Sequence, residues 1–224
     1  MPHRPIHTVL FDLDGTLLDS IALIVGAFRH MMDRHHDAVP DDAVWIKGVG
    51  TPLVLQVAEL ADGPEHAAAM LDTYRTWCIE KHDSTVSAYP GIPSMVRALS
   101  AQGIKLGIVT SKNHVGALRG LRSMDLLDVF PVILGVDDVE QAKPHPEPVL
   151  KAMQLLDAQP ETTVFVGDST HDMECGRAAG VRTAAALWGP FTRESLQPHG
   201  PTWWVERPDA LLPTLGLGPS VRMG

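Results

Sequence analysis

The sequence predicts an α/β protein: a doubly wound parallel sheet interrupted by an all-helical insertion. Three observations predict it. Five short apolar runs, too brief for helices, mostly end in small or acidic residues. Helical patterns of about ten residues alternate with them, the arrangement that builds a parallel sheet with helical crossovers. Between the first two runs, however, roughly seventy residues show only helical periodicity, far more than a crossover connection uses.

In chain order, Ile6–Phe11 is the first expected strand. Asp19 or Ser20 can cap a helix whose Ile21, Ile24, Phe28 and Met31 share a face. A second helix is expected near Pro52. A third is expected near Pro64, with Met70, Tyr74, Trp77 and Cys78 along one stripe, read as the interior of a helical unit. Ser94–Ala101 begins after Pro93 and stops before Gly103, with proline at the start and glycine past the end. Strands Ile104–Val109, Pro131–Leu134, Thr163–Val166 and Val181–Leu187 follow, with helices His114–Ser123, Pro148–Leu156 and Asp172–Ala179 between them. In the first of these helices Val115, Leu118 and Leu121 are expected on the packed face. Trp203-Trp204-Val205 adds an edge strand, and the Gly/Pro-rich tail from Pro213 to Gly224 is expected to be loosely ordered. The resulting organisation is a core of residues 1–18 and 88–224 with a helical cap of residues 19–87.

Composition narrows the function classes. The 224 residues carry a net charge of −9, with 45% hydrophobic and 20% charged types, ordinary for a globular chain able to bury a sizeable core. The acid excess argues against nucleic-acid and anionic-membrane partners, which are bound through many Lys/Arg–phosphate contacts. Cys78 and Cys175 match no metal or redox spacing and are expected as reduced thiols. The apolar run before Asp12 is too short for a signal-peptide core or a membrane span, so a soluble, cytoplasmic protein is expected. Monomer and homodimer are both left open by the sequence.

The chemistry concentrates where strands end. Asp12 and Asp14, in Phe11-Asp12-Leu13-Asp14-Gly15-Thr16, leave the first strand with side chains able to point the same way. Ligands of open parallel sheets bind just beyond such carboxyl ends. Two carboxylates there repel unless a cation or a shared proton relieves them. Asp168 and Asp172, in Gly167-Asp168-Ser169-Thr170-His171-Asp172, close the fourth strand, four residues apart so that the second can support the first. Hard oxygen donors at this density suit Mg²⁺. Asp168 or Ser169 as helix N-cap is the plainer alternative, and His171 is expected on the helix surface. Thr110-Ser111-Lys112 offers a hydroxyl and free N–H groups for phosphate oxygens, with Lys112 expected as a solvated charge. Lys143, in Ala142-Lys143-Pro144, has its backbone restricted by the following proline.

Together these segments resemble the haloacid dehalogenase superfamily, with four motifs in order: Asp12-x-Asp14-Gly15-Thr16, Thr110, Lys143 and Gly167-Asp168-x-x-x-Asp172. The position of the helical insertion, and Tyr89-Pro90-Gly91 at the return to the core, look like the subclass that carries its cap between the first two motifs. The resemblance implies a Mg²⁺-dependent phosphatase acting on a small phosphorylated metabolite through an aspartyl-phosphate. Asp12 would be the nucleophile and Asp14 the acid–base. Mg²⁺ would be held by Asp12, the Asp14 backbone carbonyl and Asp168, with Asp172 in support. Thr110, the Ser111 N–H and Lys143 would bind the phosphoryl oxygens. Asp14 argues against the superfamily's dehalogenases and phosphonate hydrolases, Thr16 favours phosphatases over its sugar-phosphate mutases, and the pattern looks most like the phosphoglycolate phosphatase group, including its pyrophosphatase relatives. Lys47, Gly48 and Thr51, in Lys47-Gly48-Val49-Gly50-Thr51-Pro52, resemble a substrate-contacting loop, although a plain helix-linking turn fits equally. Pyrophosphatase, nucleotidase and phosphomutase activities are the enzymatic alternatives. A phosphate-sensing regulatory protein is the non-enzymatic one.

Overall fold

The first strand, β1 (Thr8–Phe11), is buried at all four positions, as a central strand covered on both faces must be. The structure, a computed structural model, describes residues 5–218. A tight turn leads from β1 to the two-residue β2 (Leu18–Asp19). Helices α1 (Ile21–His35), α2 (Asp42–Lys47), α3 (Leu53–Leu60) and α4 (Pro64–Thr85) follow with no strand among them. The chain returns through β3 (Ser87–Ala88), antiparallel to β2, so the helical segment enters and leaves through one two-stranded ribbon. Helices and strands then alternate: α5 (Ile92–Ala101), β4 (Lys105–Val109), α6 (His114–Ser123), β5 (Val132–Leu134), α7 (Glu147–Leu155), β6 (Thr163–Gly167), α8 (Thr170–Ala178), β7 (Arg182–Ala186), α9 (Arg193–Leu196), β8 (Trp203–Val205) and α10 (Leu211–Thr214).

All pairings in the main sheet are parallel, in the order β5-β4-β1-β6-β7-β8. The chain winds outward from β1 through β4 to β5, then crosses back to β6 and winds the other way. Connections therefore leave β1 and β6 in opposite directions, which opens a crevice at their carboxyl ends. Register fixes what lines it. Phe11 lies level with Ile108 of β4 and Val166 of β6, so Asp12, Thr110 and Asp168 follow three neighbouring strand ends.

Both faces of the sheet are sealed by apolar side chains. Phe11, Leu99, Ile108, Leu121 and Val166 belong to one cluster, and Leu10, Val149, Phe165 and Cys175 to the other. The helical segment has its own interior, centred on Phe28, which stacks on Trp45 at 4.7 Å and meets Tyr74 edge-on at 5.0 Å.

All six expected strands and the four core helices are present. Three expectations are corrected. Val115 is exposed, because α6 packs through Ala117, Gly120 and Leu121 instead. The tail is ordered through α10, since Leu215 is buried and Leu217 packs on the core; residues 219–224 lie outside the described residues. Ser20 precedes α1 but makes no capping bond, its hydroxyl being used elsewhere. The helix α2, not expected from periodicity, is capped by the Asp41 carboxylate, which accepts the Ala43 N–H. Both cysteines are free thiols, and among the described residues no helix is long and apolar enough to cross a membrane.

Because Phe28 ties α1, α2 and α4 together, Phe28→Ala is expected to cost about 3–5 kcal/mol in denaturant unfolding. A loss below about 1 kcal/mol would mean that the helical segment does not depend on this aromatic cluster.

Candidate active site

The turn after β1 is shaped by hydrogen bonds from the Leu17 and Leu18 N–H groups to the Leu13 carbonyl, both 2.9 Å. Gly15 sits in that turn at φ +88°, and a Cβ there would lie 2.5 Å from an Asp168 oxygen. Only glycine allows so close an approach. The turn also aims Thr16, whose hydroxyl donates to Asp168 Oδ1 at 2.7 Å. Trp188 Nε1 in turn donates to the Thr16 carbonyl at 2.8 Å.

At the end of β6, Ser169 and Asp172 form a reciprocal cap. The Ser169 N–H and hydroxyl donate to Asp172 Oδ2 at 2.9 and 2.6 Å. These two hydrogen bonds leave Asp172 Oδ1 directed at Lys143 Nζ, 2.6 Å away. Ser169, not Asp168, is thus the cap, and Asp172 works through the cap and the lysine. Lys143 Nζ also donates to Asp12 Oδ1 at 2.7 Å. Its loop is held by Glu147, whose carboxylate accepts the N–H groups of Glu140 and Gln141 at 2.8 and 2.9 Å.

Asp12, Asp168 and Asp172 are all buried, and each offers an oxygen within 4.8 Å of the others. Three carboxylates against one ammonium leave two negative charges in excess, and the pKa values respond. Burial pushes the Asp12 carboxyl up to about 7, opposed by Lys143 and reinforced by Asp172. Burial likewise raises Asp168 well above the ordinary carboxylate range. Burial disfavours the Lys143 ammonium, yet Asp12 and Asp172 outweigh that and raise its pKa. Asp168 Oδ2 is buried without any hydrogen-bond partner. An orphan carboxylate oxygen beside two other carboxylates, with hard oxygen donors throughout, fits a divalent cation.

Asp14 stands apart from this trio. Its carboxylate accepts Lys112 Nζ at 2.9 Å through each oxygen and the Ser20 hydroxyl at 2.5 Å. Lys112 is therefore not the solvated charge expected from sequence. Asp12, Asp14, Thr110 and Ser111 all line one cavity of about 600 Å³ between the core and the helical segment. The Ser111 hydroxyl donates to the Gly50 carbonyl at 2.6 Å. Of the three loop residues singled out, Thr51 lines the cavity, Lys47 is exposed on α2, and Gly48 caps that helix. His171 is half-buried rather than superficial, its Nδ1 shielded without a partner. A Cβ on Gly50, at φ +94°, would come within 2.9 Å of Ser169 Oγ and 3.5 Å of His171 Nδ1. Sequence reading missed Thr16, Ser20 and Lys112 as partners of the acids; their proximity depends on the turn after β1 and the level strand ends.

Two outcomes follow. The folded-state pKa of Asp12 lies above its unfolded value of 3.8, so its contribution to stability is full below about pH 4 and is lost as pH rises through about 7. A cation on these carboxylates favours their ionised forms. The rise in Tm on adding MgCl₂ is therefore expected to be larger at pH 8 than at pH 5.5, and an equal rise at both would contradict cation binding at this trio. Thr16→Val removes a donor from buried Asp168 and is expected to cost about 1–3 kcal/mol of stability without added cation. Chemical denaturation measures this, and an unchanged midpoint would contradict it.

Comparison with known proteins agrees with the motif order. The family model for haloacid dehalogenase-like hydrolases matches residues 9–186. Pyrophosphatase PpaX of Anoxybacillus flavithermus is 38% identical over 212 residues, 95% of this chain and 98% of that protein. Pyrophosphatase PpaX of Bacillus pumilus is 37% identical over 216 residues, 96% and 99% of the two chains. Among solved structures, a haloacid dehalogenase-like family hydrolase from Streptococcus pneumoniae aligns with TM-score 0.82 at 26% identity, covering 93% of this chain and 97% of that one. With its family model spanning most of the chain and its relatives alike over nearly their whole length, the chain belongs to the haloacid dehalogenase-like hydrolase family, as an enzyme of the phosphatase type.

Proposed function

We propose that the protein is a Mg²⁺-dependent phosphomonoesterase that passes the phosphoryl group of a small phosphorylated substrate to Asp12 and then to water. The observation that carries this reading is the buried Asp12–Lys143–Asp172 cluster, with the partnerless Asp168 oxygen beside it, opening on a cavity that also holds Asp14. A cytoplasmic setting and a division into a core of residues 1–18 and 88–224 and a cap of residues 19–87 belong to the same proposal.

Asp12 attacks phosphorus with one carboxylate oxygen while the bond to the leaving oxygen breaks. Lys143 holds the other oxygen and fixes the carboxylate's orientation. Asp14 delivers a proton to the departing oxygen, then takes one from the water that attacks phosphorus and frees Asp12. Lys112 and Ser20 hold the Asp14 carboxylate at the cavity wall beforehand. The Thr110 hydroxyl, the Ser111 N–H and Lys143 donate to the phosphoryl oxygens, the Ser111 hydroxyl being already committed to Gly50. Asp12, the Asp14 backbone carbonyl and Asp168, with Asp172 in support, would hold Mg²⁺, which when bound would neutralise the phosphoryl charge. Of the three loop residues Thr51 lines the cavity, which supports reading it as the one that meets the leaving group. Phosphoglycolate is the small-acid monoester that the motif pattern suggests. Inorganic pyrophosphate is the second reading, favoured by the names of relatives 37–38% identical over nearly the whole chain.

Phosphate release from p-nitrophenyl phosphate with MgCl₂ is expected to disappear with EDTA. Asp14→Asn is expected to lower kcat about 10²- to 10⁴-fold, slowing both formation and breakdown of the phosphoenzyme. No release from any phosphate ester or from pyrophosphate would overturn the enzyme reading, and a wild-type rate for Asp14→Asn would remove the acid–base role.

A further inference from the structure

We propose that the group esterified to the substrate's phosphate is predominantly apolar, an aliphatic or aromatic alcohol housed in the cavity between the sheet and the helical segment. The proposal rests on the phosphomonoesterase reading above and specifies its substrate class. The cavity holds about 600 Å³, room for roughly twenty waters. That is far more than a two-carbon acid or a second phosphoryl group fills.

Its walls are largely, though not wholly, hydrocarbon, with Thr51, Gln56 and Asn113 among the polar side chains in the lining. Leu23 and Phe28 of α1, Val49 and Leu53 around the loop, and Tyr74 and Ile79 of α4 line it from the helical side. Val115 of α6 faces it from the core. Val54, Leu55, Ile79 and Val115 are exposed by 51–72%, and they are half of the exposed large hydrophobic residues among those described. Apolar side chains gathered at the mouth of one cleft, rather than scattered, mark a surface that something apolar covers.

The charged groups in the same walls are mostly spoken for. Lys112 is held by Asp14, and Arg119 by Asp83 and the Ile79 carbonyl. Arg75 is exposed, and Glu140 adds a negative charge to the lining. A pyrophosphate would need its second, highly charged phosphoryl group desolvated among these aliphatic side chains with little compensation. An alkyl or aryl group gains instead from each carbon it removes from water.

The test is a series of straight-chain alkyl phosphates from methyl to octyl, with benzyl phosphate, phosphoglycolate and pyrophosphate, assayed for kcat/KM with MgCl₂. The expected rise is about three- to fourfold per methylene until the cavity is full. The longer esters are expected to exceed both phosphoglycolate and pyrophosphate. In the double variant Ile79→Asp/Val115→Asp, both exposed positions in the wild type, the slope against chain length is expected to fall. Dissociation constants of the matching alkylphosphonates for the Asp12→Asn protein, measured by calorimetry, provide a readout without turnover and are expected to tighten along the same series. A flat series in both measurements, or pyrophosphate outpacing every ester, would overturn the inference while leaving a working phosphohydrolase. Phosphonates that bind more tightly with length, in a protein that hydrolyses nothing, would instead support the apolar site and remove the phosphatase reading.

Discussion

One buried ammonium group organises the site. Lys143 Nζ sits 2.7 Å from Asp12 and 2.6 Å from Asp172, all three side chains almost wholly out of water. A buried ion pair gains stability only when its geometry and remaining hydrogen bonds repay the desolvation. Here the repayment is visible in each neighbour: the second Asp172 oxygen is capped by Ser169, and the lysine's loop is pinned by Glu147. The arrangement still falls short of neutrality, because Asp168 adds a third carboxylate with one partnerless oxygen. A floor of three buried carboxylates against one ammonium is one that a bound cation would balance. This also limits what the net charge of −9 says about ligands: it argues against polyanionic partners but is silent about a small phosphate, whose charge meets a local balance of lysine and cation.

Much of this was legible in the chain, and the reasons are specific. Strand runs such as Ile104–Val109 are short, apolar and bounded, so position and type follow from pattern alone. The acids at 12, 14, 168 and 172 could be placed because parallel strands deliver their carboxyl ends to one side. What stayed hidden was pairing over long sequence distances. Thr16 reaches Asp168, and Lys112 reaches Asp14, only because the strand ends lie level and the Gly15 turn folds back. The six-residue α2 and the two-residue strands of the ribbon are too brief to show a period. Val115 illustrates a different failure. Helical spacing placed it with Leu118 and Leu121, but small residues at 117 and 120 let α6 approach the core on another face.

The helical segment and the core meet through polar contacts around an apolar void. Ser111 holds the Gly50 carbonyl, and Arg119 bonds Asp83 and the Ile79 carbonyl, while the aliphatic side chains nearby line open space. Polar, partly exposed contacts of this kind allow two units to shift against each other, whereas separate hydrophobic interiors keep each unit intact. The chemistry is proposed to lie in the core strands and the choice of leaving group in the helices.

In the proposed reaction the Asp12 carboxylate itself carries the phosphoryl group. Quenching the protein during turnover and treating it with borohydride reduces an aspartyl phosphate to homoserine, which peptide mass spectrometry locates. Homoserine is expected at position 12 alone, dependent on substrate. Homoserine at another aspartate, or none while phosphate is being released, would contradict it.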